Sequence, residues 1–220
     1  MFQLHYFPGN ASLIPHIVLE ELGVPFELKY VDRAVAAHKS TEYLALNPNG
    51  LIPVLVDDGV DGKAHPLVLY ETAAVCMHLA DTHPTAGLLP PVASAQRALA
   101  YKWLAWLTNT LQATLIVYFY PERWADDAAA IAQVKAHAET KVGAMLDQLD
   151  AEFARHHGPW LLGEAFGLAD PYAFVLCRWT RGFHRPARDL PYLKPWLDRM
   201  QERPAVQRAF ATEKLPPPRV

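Results

Sequence analysis

Four short stretches carry residue types that could do chemistry together. The loop Pro8-Gly9-Asn10-Ala11-Ser12 leads from a short apolar run into a helical pattern. Such a loop gathers free backbone N–H groups and positive dipole potential, a place for a thiolate or another anion. Ser12 also suits a plain N-cap, and Asn10 a plain turn residue. Ile52-Pro53 opens a strand on proline, where proline is tolerated. Locally a trans bond is the ordinary expectation, since only about 5–6% of X–Pro bonds are cis. A cis bond would turn the N–H and C=O of Ile52 outward, to pair with an extended peptide. Glu71-Thr72 opens the helical run after Leu67-Val68-Leu69-Tyr70. It could hold an amino-acid zwitterion, with Thr72 and backbone N–H on the carboxylate and Glu71 on the ammonium, or simply cap the helix. His38-Lys39 is a cationic pair that suits a second carboxylate or a solvated surface.

The elements that must position these residues follow from periodicity. Gln3 to Phe7 reads as a strand closed by Pro8-Gly9, and Ser12 to Gly23 as a helix with Leu13, Ile17, Val18 and Leu22 on one face. Phe26 to Tyr30 alternates as a half-buried strand, which completes a βαβ unit with a right-handed crossover. A strand over 52–56 turns at Asp57-Asp58-Gly59, returns from Pro66 to Leu69, and leads into a helix over 71–80. This α/β domain spans 1–82. His83 to Pro91, rich in Pro and Gly, sets a linker over 83–92. Residues 93–220 then read as an all-helical domain. Its long helices run over about 93–118 and 126–155, a strongly apolar one over 167–181, and short ones follow Pro191 and Pro204. Pro216-Pro217-Pro218 is a frayed tail.

Composition narrows the class. The 220 residues are 51% hydrophobic and 20% charged, which excludes a disordered chain. No apolar run approaches the ~18 residues that span a bilayer, and Met1-Phe2-Gln3-Leu4-His5 lacks the basic and apolar regions of a secretory signal. A net charge of −3 without a basic stripe argues against nucleic acid or an anionic membrane as partner. Cys76 and Cys177 are too few for a disulfide scaffold and fit a reducing cytoplasm. The 10 histidines form no His-x-x-x-His or Cys/His grouping, so no metal centre is expected.

Three runs, "PGNASLIPHIVLEELGVPFE", "AHKSTEYLALNPNGLIPVLVDDG" and "LYETAAVCMHLAD", resemble the N-terminal domain of cytosolic glutathione S-transferases of the bacterial type, with beta- and phi-like motifs. "LLGEAFGLADPYAFVLCRW" resembles their central C-terminal helix. The resemblance implies an α/β thioredoxin-like domain with a cis-Pro at Pro53, followed by an all-α bundle. It implies glutathione as co-substrate with no resident cofactor, a homodimer, and a detoxifying role in the cytoplasm. By this carry-over His38 and Lys39 hold the glycyl carboxylate, Ile52 next to Pro53 pairs with the cysteinyl backbone, and Glu71 and Thr72 hold the γ-glutamyl end. The reaction implied is conjugation of the glutathione thiolate to apolar electrophiles. The rivals are a glutathione-dependent peroxidase or isomerase, and a non-catalytic binding or regulatory protein.

Two positions depart from the family pattern. Ala11 stands where the beta-class relatives have a cysteine, and no Cys-x-x-Cys is present for disulfide exchange. The thiol must then be activated by a neutral hydrogen-bond donor, ranked Asn10, Ser12, Tyr6. Gly167 stands where the helix cap is usually Ser or Thr, a change worth only a few tenths of a kcal/mol. Tyr118, Tyr120 and Trp124, where the first long helix ends at Pro121, are the candidates for the second-substrate pocket, although such aromatic clusters are more often core.

Overall fold

The computed structural model describes residues 1–59 and 66–220. A four-stranded mixed sheet has the order β2-β1-β3-β4, with β1 Phe2–Tyr6, β2 Phe26–Tyr30, β3 Val54–Asp57 and β4 Leu67–Tyr70. β1 runs parallel to β2, with Phe2 opposite Phe26 and Tyr6 opposite Tyr30. It runs antiparallel to β3, with Leu4 opposite Leu55, and β3 pairs antiparallel with β4. The third strand starts two residues later than the apolar run suggests, because Ile52 and Pro53 precede the ladder.

Strand alternation gives the sheet two faces. Val54 and Val56 cluster with Val31 and Tyr43 on the side of α2, Thr41–Leu46. Leu4 and Leu55, both fully buried, serve the opposite face. There α1, Leu13–Leu22, buries Leu13, Ile14, Ile17 and Val18, and stops at Gly23, whose φ of 63° is a left-handed C-cap. α3, Thr72–Thr82, buries Val75, Cys76 and Leu79 and packs on α1. Burial of each such side chain contributes about 1.5–3 kcal/mol.

The chain divides into two units at a different place from the one the sequence suggests. Unit one is Met1–Gly87 together with Arg203–Pro216, and unit two is Leu88–Glu202 with Pro217–Val220. The last helix, α9 at Pro204–Thr212, therefore belongs with the sheet and not with the helical domain over 93–220. It buries Ala205, Val206, Ala209 and Phe210 and packs on α1. Arg203 pairs with both oxygens of Glu21 at 2.6 and 2.8 Å, and Arg208 bonds Glu20 at 2.5 Å. The expected linker over 83–92 is likewise divided, with Leu88 already buried in unit two.

In unit two, the helix expected over about 93–118 is α4, Ala95–Trp106, a π-helical segment Leu107–Gln112, and α5, Ala113–Phe119. The wider turn coincides with hydroxyl groups that compete for the backbone. Thr108 and Thr114 donate to the carbonyls of Leu104 and Thr110, four residues back. α6 is a 29-residue helix, Ala128–His156, started by Asp127, which accepts from the N–H groups of Ala129 and Ala130. α7, Ala169–Trp179, is nearly all buried, and α8, Leu193–Glu202, follows. Asp170 ties this unit together: its carboxylate accepts from Leu161 N–H, Gly167 N–H and the Trp196 indole. Gly167 and Asp170 bond reciprocally, since Asp170 N–H also donates to the Gly167 carbonyl at 3.0 Å. The missing Ser or Thr hydroxyl thus leaves the acidic half of the capping box in place.

Candidate functional site

Unit one brings the four stretches into one construction around the sheet. The loop after β1 is closed on itself. The Ser12 hydroxyl accepts from Phe7 N–H at 3.2 Å and donates to the Phe7 carbonyl at 3.1 Å. Ser12 is fully buried and makes no capping bond to α1, so neither the N-cap role nor a free donor role fits its hydroxyl. Gly9 adopts φ 68°, and its N–H donates to Glu213 Oε2 at 2.7 Å. Asn10 uses Oδ1 to accept Ala11 N–H at 2.6 Å and leaves its Nδ2 donor without a protein partner among the described residues. Ala11 is buried. Tyr6 packs edge-on against His16 and Tyr30. Burial, then Glu213 and Tyr30, push its phenol pKa up, so it keeps its proton.

The second wall is the segment from the 3₁₀ turn Ala37–Lys39 to β3. Ile52–Pro53 is cis. The carbonyl just before it, on Leu51, accepts from the Tyr43 hydroxyl at 2.8 Å and from Asn47 Nδ2 at 2.9 Å. Asn47 also accepts the Asn49 N–H, so the 47–51 loop is pinned from both sides. The N–H and C=O of Ile52 have no partner among the described residues, and both remain available to an extended peptide. Lys39 donates to the Asn49 carbonyl at 3.2 Å. Gly50 is required there: at φ 59°, an added Cβ would meet Lys39 Nζ at 2.7 Å and the His38 carbonyl at 2.8 Å. His38 and Lys39 therefore sit against the loop that leads into Ile52.

The third wall is the start of α3. Glu71 has φ 72° and ψ 111°, a conformation unfavourable for a residue with a Cβ. Its side chain is exposed and makes no capping bond. Thr72 is buried, yet its hydroxyl has no protein partner among the described residues, and the first N–H groups of the helix lack intrahelical acceptors. The site can thus offer anion-binding N–H groups, a carboxylate for an ammonium, an unpaired backbone edge, and one uncommitted amide donor in the β1 loop.

A family model described as the glutathione S-transferase N-terminal domain matches residues 11–82, and one for the C-terminal domain matches residues 107–204. The glutathione S-transferase GstA of Escherichia coli O157:H7 is 32% identical over 215 residues, 97% of this chain and 99% of its own. The glutathione S-transferase GST-4.5 of Xanthomonas campestris is 33% identical, again over 97% of this chain and 99% of its own. A solved glutathione transferase homologue from Sulfitobacter, with bound glutathione, matches with a TM-score of 0.86 at 29% identity, covering 98% of this chain and 99% of that one. The chain belongs to the glutathione S-transferase family.

In this transferase two groups of residues serve the site that sequence reasoning passed over. Tyr43 and Asn47 set the Leu51 carbonyl, and the Asn47-Pro48-Asn49-Gly50 run is the local signal that could have found one of them. Glu213 and His16 brace the β1 loop from behind: His16 Nδ1 lies 2.7 Å from Glu213 Oε1, and both side chains are fully buried. Nothing local marks Glu213, which lies 204 residues from its partner Gly9.

The aromatic residues assigned to the second substrate lie in unit two of the transferase and are not a closed core. Tyr118 stacks on Phe183 at 4.2 Å between ring centres, under Lys135. Tyr120 lies under the Arg123 guanidinium at 4.1 Å, and Trp124 is 53% exposed. A cavity of about 550 Å³ along α6, lined by Glu139, Gly143, Asp147, Phe183, His184 and Arg185, includes none of the three.

Proposed function

We propose that the protein binds glutathione on unit one and catalyses attack of its thiolate on electrophilic, mostly apolar small molecules. One observation carries this reading. The unpaired N–H and C=O of Ile52 follow the Gly50 loop that His38 and Lys39 flank and precede Val54, which pairs with Tyr70 next to Glu71-Thr72, an order that suits a peptide with a carboxylate at one end and a zwitterion at the other. The bound glutathione of the Sulfitobacter homologue supports the same ligand here.

A free thiol has a pKa of about 8.5 and must be lowered to be ionised near neutrality. The Asn10 amide supports that step as a fixed donor to sulfur, because Oδ1 is held by Ala11 and Nδ2 is left to point at a ligand. The thiol proton goes to solvent and the thiolate forms the new carbon–sulfur bond as the carbon–halogen bond breaks and halide leaves, or as the epoxide C–O bond breaks and its oxygen takes a proton from solvent. Glutathione is consumed as a co-substrate. Tyr118, Tyr120 and Trp124 are the residues proposed for the apolar substrate. We assign the protein to the cytoplasm as a detoxifying homodimer, a reading supported by its family and by two free, buried cysteines. No helix among the described residues is long and apolar enough to cross a membrane.

Isothermal titration with glutathione, followed by assays with aryl halides, epoxides and peroxides, tests the assignment. Binding with turnover of halides or epoxides supports it. Binding with peroxide turnover alone would replace conjugation by the peroxidase reading.

A further inference from the structure

We propose that His38 takes up a proton when the glycine end of a glutathione-like ligand binds, so that occupancy of the site is tied to pH between weakly acidic and neutral. The inference rests on the glutathione reading above and concerns one residue within it.

His38 lies in the 3₁₀ turn Ala37–Lys39. Its Nδ1 is sealed from solvent and has no hydrogen-bond partner among the described residues. An imidazolium donates from both ring nitrogens, so charging His38 in the free protein would bury an N–H with no acceptor. It would also place a further positive charge near Arg33, on the segment after β2, and Lys39. Burial first, then Arg33 and Lys39, hold its imidazole below the ordinary histidine range. Among the described residues the charges that act on the ring are both positive, Arg33 and Lys39. Residues 47–51 contain no titratable side chain, and Gly50 offers only backbone. Glu42, the acid of α2, and Asp32 are turned to other partners, the Ser40 hydroxyl and Ala34 N–H, and neither is among the charges that act on the ring.

A ligand carboxylate at this corner does not reach the sealed Nδ1, but it supplies the missing negative charge beside the ring and so favours the imidazolium. The sign follows. The complex holds its proton to higher pH than the free protein does, so binding is tightest below the free-state pKa and weakens as pH rises through that of the complex. Each pKa unit between the two states is about tenfold in affinity. His38 thus acts as a proton-linked second contact beside Lys39.

The test is isothermal titration with S-methylglutathione, whose blocked thiol cannot itself release a proton. It is run in phosphate and in Tris, buffers of different ionisation enthalpy, at several values between about pH 5.5 and 8, the range of histidine titration. Net proton uptake that is largest between the free and bound pKa and fades as pH rises beyond them is expected in the native protein. It should vanish in His38→Asn and His38→Gln, which still bind through Lys39 but with an affinity that no longer follows pH. Zero uptake in the native protein overturns the inference, and so does uptake that persists in both variants. Failure of S-methylglutathione to bind at any pH would instead overturn the glutathione reading.

Discussion

The Gly9 N–H donates to Glu213 Oε2 at 2.7 Å, and the other oxygen of that carboxylate lies 2.7 Å from His16 Nδ1. One buried side chain from beyond α9 thus fixes the backbone of the β1 loop one residue before Asn10, and also the helix that follows it. Glu213→Ala removes the acceptor from the buried His16 ring and from the half-buried Gly9 N–H, and a buried donor left unmet costs about 1–3 kcal/mol. A lower denaturant midpoint together with a raised KM for glutathione is expected. An unchanged KM in the folded variant would separate the brace from the site.

Asn10→Ala should lower turnover by about 10²–10³, the usual cost of one donor to a developing or bound anion. The pH at which bound glutathione ionises should rise, read from thiolate absorbance. Ser12→Ala tests the opposite role. Its hydroxyl holds both Phe7 N–H and Phe7 C=O, so the loss should fall on stability. If Asn10→Ala leaves ionisation and turnover untouched, the thiol is activated by another group.

Thr72→Ala should weaken glutathione about ten- to a hundredfold, since a hydrogen bond to a charged group contributes about 1.5–3 kcal/mol. Glu71→Gly separates binding from folding more sharply. Glycine relieves the φ of 72° while removing the carboxylate. A variant at least as stable as the native protein, with weaker glutathione binding by titration, is the expected result.

No mixed disulfide with glutathione should form. Ala11 holds no sulfur, and burial pushes both the Cys76 and Cys177 thiols far up. Intact-mass spectra after incubation with oxidised glutathione should show the unmodified chain, and Ala11→Cys should gain the adduct.

Light scattering at micromolar concentration should return twice 24.6 kDa. Leu51 is 53% exposed on a loop otherwise pinned by Tyr43 and Asn47, the kind of fixed apolar contact a two-fold interface uses. A monomer mass would contradict the homodimer.

Short-range physics made much of this molecule legible from sequence. Alternation at 26–30, the Gly23 stop, and the Pro8-Gly9 turn depend on neighbours within a few residues, and each appears where its pattern stands. The positions of the four chemistry-bearing stretches, at the ends of strands and the starts of helices, were legible too, whereas the cap roles open to Ser12 and Glu71 were not taken up. What the chain alone left open depended on partners far away in sequence. The Ser12 hydroxyl had several local acceptors and donors open to it, and the fold of the loop gave it Phe7. The helix at 204–212 looks like any short amphipathic helix, and only the arginine pairs to Glu20 and Glu21 on α1 decide which unit it joins. His38 reads as a cation in sequence. Its sealed Nδ1, without a partner among the described residues, and two charged neighbours favour the neutral form instead, because solvation and field belong to the tertiary structure and not to the residue type.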